Sequence, residues 1–237
     1  MAERKFVNYA HRGASEYMPE NTLLSFYTGI SMGANGIETD VRRTKDGVLV
    51  LFHDDTLMRV TGEEGSIGDY TLEELQQFTV KHEGFEDKIV TFEEFLQKFS
   101  WRDLTFAIEL KEEGTEEEVA ELIRRYNVVE KAVVTSFHFE YIQKIKAYAP
   151  ELQVGWLFNT PTEERINTAL ELGFTEVCPK AVHITPELVE HLHSLGLRVR
   201  AWGVTGSHYM RNVYNAGADG MTVNFPDWLT RYIERTK

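Results

Sequence analysis

One cysteine, Cys178, is too few for any internal disulfide, so the fold must rest on its own core and the chain reads as one for a reducing compartment. No stretch approaches the roughly 18 uninterrupted apolar residues that a membrane span needs. The opening MAERKFVNYAHRG has neither the apolar stretch nor the small-residue cleavage site of a signal peptide. The expectation is a cytoplasmic protein with no stable membrane anchoring. Positive charge is also short: 25 Lys and Arg face 38 Asp and Glu, for a formal net charge of -13. Without a basic stripe, nucleic acid is not expected as a partner. Any anionic ligand would need a local device, a bound cation or a few placed Arg and Lys, to overcome the mean field. Internal repeats and low-complexity tracts are absent as well.

What is present is an alternation. The chain has 237 residues, 42% of them hydrophobic, enough for a sizeable core. Short β-rich runs at 6–10, 36–41, 105–110, 132–136, 153–158, 176–179, 198–203 and 220–223 alternate with amphipathic helical patterns. Several runs are continuously apolar, as expected where both faces of a parallel strand are buried. Helix starts are legible. Thr115 with Glu118, and Thr160 with Glu163, have capping-box spacing, and Thr185-Pro186 places a cap before ELVEHLHSLG, which Gly196 stops. Eight β/α units in this length predict a closed (β/α)8 TIM-type barrel, an α/β fold. The competing open doubly wound sheet usually carries G-x-G-x-x-G after its first strand, and HRGAS is not that motif.

Residues 45–90 break the rhythm with an extra strand-like run, VLVLFH, a Gly- and acid-rich stretch, GEEGSIGDY, and a capped short helix at 71–78; a regular helix resumes at 91–99. The segment reads as an insertion in the second β/α unit of a single domain spanning 1–237, being too short for a core of its own.

In such a barrel, functional groups stand at the C-terminal ends of strands. There the sequence places His11-Arg12-Gly13, then Glu38 and Asp40, then His53 beyond the VLVLF run, then Glu109 and Lys111, and Trp202 on the seventh strand. Glu38 and Asp40 are two apart, so on a strand both point to one face. Burying an unpaired carboxylate in an apolar strand costs several kcal/mol. Ion pairs with Arg42, Arg43 or Lys111 are the plain explanation for any one of them. Three carboxylates at neighbouring strand ends instead point to one divalent cation, and oxygen-only ligands favour Mg²⁺ or Ca²⁺ over zinc. Each histidine alone would pass for a structural residue; two beside these carboxylates suit an acid and a base on opposite sides of a phosphorus atom. Arg12 offers the planar fork that grips phosphate oxygens. The other six histidines have no assigned role, and Cys178 reads as core.

The stretches HRGASEYMPENTLLSF, IETDVRRTKDGVLVLFHDDTLMRVTG, FAIELK and GADGMTVNFPD together resemble the glycerophosphodiester phosphodiesterase family, bacterial cytoplasmic type, over nearly the whole chain. The resemblance implies a TIM-type barrel that hydrolyses glycerophosphodiesters to glycerol 3-phosphate and an alcohol. It implies one divalent cation on Glu38, Asp40 and Glu109, catalysis by His11 and His53 through a cyclic phosphate, phosphate contacts from Arg12 and Lys111, and Trp202 against the glycerol or lining the pocket. Three positions depart from the family pattern. AWGVT stands where W-T-V-N is more common, Asn224 where Asp is usual, and Val90 where proline is common before the second helix. The expected partner is a small glycerophosphodiester, with homodimerisation left open. Two alternatives stand beside this reading. One is a lysophospholipase D-type activity on the same fold, disfavoured by the lack of a basic amphipathic helix. The other is a non-catalytic barrel that only binds phosphorylated ligands.

Overall fold

A computed structural model describes residues 6–236. Its strands are β1 (Val7–His11), β2 (Gly36–Arg43), β3 (Leu49–Leu51), β4 (Val80–His82), β5 (Phe85–Asp87), β6 (Thr105–Leu110), β7 (Ala132–Ser136), β8 (Gln153–Phe158), β9 (Glu176–Pro179), β10 (Arg198–Ala201) and β11 (Gly220–Val223). β1, β2 and β6 to β11 pair in parallel in chain order, and β1 pairs with both β2 and β11, so the eight close into a barrel. A helix separates each barrel strand from the next and one follows the last: Leu23–Ser31, Phe92–Phe99, Glu116–Arg125, Phe139–Tyr148, Glu163–Glu171, Pro186–Ser194, Ser207–Asn215 and Pro226–Thr236. This is the predicted (β/α)8 architecture. The seventh strand ends at Ala201, short of the predicted 203, with Trp202 retained as a single bridge to Lys180.

The period of two along each strand divides the structure. Outward residues such as Ile37, Val41, Phe106, Ile108, Val134, Val154, Val177, Val199 and Met221 join the helices in one continuous core. Within that core Phe26, Phe95, Phe99 and Phe106 pack edge-on or tilted at 5.0 to 5.9 Å. Inward positions are far more polar. Val7, Tyr9, Ala107 and Val133 form a small separate cluster, while Glu38, Asp40, Glu109, Glu176 and Arg200 are also buried. Apolar burial therefore holds the barrel together from outside, leaving the inside free to carry charge.

Two helix caps differ from expectation. At Thr115 the hydroxyl donates to the Glu112 carbonyl and makes no cap bond. The helix expected to be capped by Thr160 is capped by Thr162, which accepts from the Arg165 amide. Both threonines precede acidic runs, and local spacing does not say which hydroxyl faces the first turn. Thr185 caps as expected, with Pro186 at the first helical position.

The excursion between β2 and β6 begins as an antiparallel return. β3 pairs along β2, with Val41 opposite Leu51 and Arg43 opposite Leu49. Contrary to the expectation that it is too short for a core, it has a small one: Val50, Phe52, Leu57, Val60, Ile67, Leu75, Val80 and Ile89 are buried together. The helix expected at 71–78 is a single turn, Leu72–Leu75, closed by a capping box between Thr71 and Glu74.

Candidate active site

The site is built where β1, β2 and β6 end. After His11 the chain turns sharply, with Arg12 at φ +56° and Gly13 at φ +84°. A Cβ on Gly13 would lie 2.4 Å from the Ser25 carbonyl carbon and from its Oγ. The turn is therefore possible only for glycine. Gly13→Ala is expected to lower unfolding free energy by about 2–4 kcal/mol, combining positive-φ strain with overpacking, as read by urea denaturation; a loss below about 0.5 kcal/mol would show that the turn can relax.

The turn brings Arg12 back over β2. Its amide donates to the Glu38 carbonyl at 2.9 Å and to Glu38 Oε2 at 3.2 Å. Its guanidinium faces Asp40, Nε to Oδ2 at 3.2 Å, and Nη1 donates to Glu20 Oε1 at 3.0 Å. Asn21, also at positive φ, donates to Asp40 Oδ2 at 2.9 Å and accepts from the Thr39 hydroxyl at 2.7 Å. Lys111 follows β6 and donates to Glu109 Oε1 at 2.6 Å, with Asp40 Oδ1 at 3.4 Å. Part of the plain ion-pair reading is thus real: of the three expected partners Lys111 pairs with Asp40 and Glu109, while Arg42 and Arg43 turn elsewhere. Arg42 clamps the His53 carbonyl at 2.9 and 3.1 Å, and Arg43 pairs with Glu118.

Glu38, Asp40 and Glu109 are only 3%, 0% and 7% exposed, and each offers a carboxylate oxygen within 4.8 Å of the other two. Among the described residues Asp40 Oδ1 accepts no hydrogen bond. The electrostatics are those of an overfull acidic pocket. Burial, then the neighbouring Asp40 and Glu109 carboxylates, push Glu38 well above the ordinary range. Burial also raises Glu109, against the pull of Lys111. Burial would raise Asp40 too, but Lys111 and Arg12 outweigh it and hold that carboxyl low. A buried, oxygen-only triad with an orphaned oxygen and excess negative charge suits a hard divalent cation.

Two imidazoles flank the triad. His11 Nδ1 contacts Asn224 Oδ1 at 2.6 Å, and its Nε2 is 3.8 Å from Glu38 Oε2. Burial and the adjacent Arg12 lower its pKa to about 3. His53 is delivered by the return strand: Phe52 donates its amide to the Asp40 carbonyl at 3.0 Å, and His53 Nδ1 lies 2.6 Å from Asp54 Oδ1. Burial lowers its pKa too, partly offset by Asp40.

A cleft of about 570 Å³ opens over these groups. It is lined by every sequence-assigned site residue except Asp40, which is fully buried. Its far wall is aromatic. Trp202 donates Nε1–H to the Phe158 carbonyl at 3.0 Å and meets Phe137 edge-on at 4.8 Å, while Phe225 and Trp228 continue the rim. Beneath, Arg200 is fully buried, with Nε on Glu176 Oε1 at 2.8 Å and its guanidinium 5.3 Å from the Tyr9 ring. Cys178 is core as expected, its thiol against Glu176 and pushed up by burial.

The sequence reading assigned no role to Glu20, Asn21, Asp54, Arg59, Phe137 or Arg200. The first three had a usable signal, since PEN and HDD are dense runs of polar residues beside assigned ones, and Arg59, in the TLMRV that follows HDD, lies outside both runs. Phe137 and Arg200 had none, because only barrel closure puts them at the cleft.

Residues 11–228 match the Glycerophosphoryl diester phosphodiesterase family. The chain is 34% identical over 242 residues to a glycerophosphodiester phosphodiesterase of Caldanaerobacter subterraneus, covering 98% of this chain and 99% of the relative. It is 31% identical to one from Bacillus altitudinis, covering 97% and 98%. Among solved structures, an Oleispira antarctica phosphodiesterase in complex with the product sn-glycerol-3-phosphate superposes with a TM-score of 0.86 at 26% identity, covering 95% of this chain and 96% of that one.

Proposed function

The chain belongs to the glycerophosphoryl diester phosphodiesterase family, and from that premise we propose that it hydrolyses soluble glycerophosphodiesters to glycerol 3-phosphate and an alcohol, with a divalent cation. The observation that carries the reading is the convergence in one cleft of three buried carboxylates with two histidines whose Nδ1 atoms are both engaged. Glu38, Asp40 and Glu109 would hold the cation, Mg²⁺ or Ca²⁺. Bound there, it would neutralise the phosphodiester and favour ionisation of the attacking hydroxyl.

The residues of the chain supply the rest. Arg12 and Lys111, each already committed to carboxylates, would turn their remaining N–H groups to the phosphate oxygens; charge at these donors matters most as the phosphorus becomes five-coordinate. His53 is assigned as base. A carboxylate at Nδ1 favours the tautomer with the proton on Nδ1 and leaves Nε2 free to accept the proton of the glycerol hydroxyl. That hydroxyl attacks phosphorus, expelling the alcohol and leaving a cyclic phosphate that water then opens. His11 is assigned as acid. Burial and the cationic Arg12 beside it weaken its hold on a proton by more than the Asn224 amide oxygen at Nδ1 strengthens it, so one placed at Nε2 is readily given to the leaving oxygen. Trp202, with Phe137, would pack against the glycerol. Because His53 arrives from the excursion, the chain acts as one catalytic unit.

The test is direct. Purified full-length protein, freed of metal and resupplied with Mg²⁺, Ca²⁺ or Mn²⁺, should release glycerol 3-phosphate from glycerophosphocholine and glycerophosphoethanolamine. A folded sample that releases none with any of the three cations would sink the assignment.

A further inference from the structure

Arg59 lies outside the cleft lining, on the one-turn helix Met58–Thr61 of the excursion. Its side chain is 49% exposed, and a surface arginine of that kind is ordinarily worth little. Its geometry is not ordinary. Nε and Nη2 donate to the two oxygens of Asp54 at 2.5 and 3.0 Å, while Nη1 and Nη2 donate to the two oxygens of Glu20 at 2.9 and 2.7 Å. One guanidinium thus forks both carboxylates, an arrangement a lysine cannot reproduce.

Each carboxylate has a second task. Asp54 Oδ1 is the atom 2.6 Å from His53 Nδ1, and Glu20 Oε1 is the atom 3.0 Å from Arg12 Nη1. The connected path runs His53, Asp54, Arg59, Glu20, Arg12, and from Arg12 Nε to Asp40 at 3.2 Å. It joins the excursion to the turn after β1, two segments that share no barrel strand. Asp54 is the immediate chain neighbour of His53, so its own side-chain torsions set where the carboxylate presents itself. Arg59 is the group that fixes them.

The geometry points to Arg59 as a positioning residue for the reaction: it locks Asp54 so that His53 keeps one ring orientation and tautomer, and locks Glu20 so that Arg12 stays turned to the phosphate. It touches no substrate. The inference rests on the roles proposed for His53 and Arg12, and the physical reason is that a sub-ångström misplacement of a base or clamp is expensive, up to about 10²-fold in rate.

Three variants and one spectrum test it. Arg59→Ala is expected to lower kcat by about 30–100-fold, with a smaller change in KM. Methylguanidinium at tens of millimolar should restore at least about fivefold of the loss, and methylammonium should not, because the fork and not the charge is required. Arg59→Lys should stay at least about tenfold down for the same reason. Arg124→Ala removes a similar double bridge, to Glu121 on its own outer helix and to Glu151 in the turn before β8, and should leave kcat unchanged. Independently of activity, ¹H–¹⁵N spectra should show His53 as the single Nδ1–H tautomer in the native protein and as a mixture in Arg59→Ala. The idea fails if Arg59→Ala retains turnover within about twofold, or if turnover drops while the His53 spectrum is unchanged and guanidinium restores nothing, which is the result for a mere brace. Lack of activity in the native protein would count against the proposed reaction, and the spectrum would still decide the role of Arg59.

Discussion

Stripping divalent cations with EDTA is expected to suppress glycerol 3-phosphate release by on the order of 10³-fold, about 4 kcal/mol of transition-state stabilisation, with recovery on adding Mg²⁺ or Ca²⁺. The size follows from the charge inside the mouth. Glu38, Asp40 and Glu109 bring three carboxylates against two nearby cations, Arg12 and Lys111, so the bare pocket presents excess negative charge to an anionic substrate. The same excess predicts behaviour that can be read without turnover. At a free cation concentration of about 100 times Kd the folded state gains about 2.7 kcal/mol. For a chain of this size that corresponds to a rise in Tm of roughly 5–10 °C. Because burial and the neighbouring carboxylates raise Glu38, and burial raises Glu109, protons compete with the cation there. Binding should release protons and weaken as pH falls through those raised values. Asp40→Asn should abolish the thermal shift. Full turnover in exhaustively stripped protein, or an unchanged Tm with every cation, would remove the metal from the proposal.

Replacing either histidine is the second large effect. His53→Ala and His11→Ala should each lower kcat by about 10²–10⁴-fold, while Tm moves little, since both side chains are about 30% exposed and contribute little core burial. The double variant should cost less than the product of the two, as expected for residues acting in one transition state. A substrate whose leaving group is p-nitrophenol separates the roles. Such a group needs no proton, so His11→Ala should recover most of its loss and His53→Ala should not. The opposite pattern would exchange acid and base, and near-normal turnover in both variants would end the two-histidine mechanism.

How much of this was legible beforehand follows from the range over which each signal acts. The barrel strands could be read because short β-rich runs and helix-capping residues are local signals, and a closed barrel is the economical way to bury eight such units in one short chain. Glu38 with Asp40, and Glu109 with Lys111, were readable for the same reason: two positions on one strand share a face whatever that strand packs against. Less local features went astray. Thr115 and Thr160 had the spacing of caps, yet the first bonds elsewhere and the helix nearby takes Thr162. The excursion was judged too short for a core, yet it gathers eight apolar side chains, because β3 folds back on β2 and hands it a ready-made wall.

Sequence by itself determined the architecture, the acidic strand ends and the pair of histidines, since each is written in residue type and short-range spacing. The tertiary structure decided which groups meet. It placed Asn224 on His11 across 213 residues, brought Arg59 between Glu20 and Asp54, and set Arg200 beneath the cleft against Glu176. Such pairings depend on barrel closure and on the path of an irregular excursion. Neither has a period that a one-dimensional pattern can record.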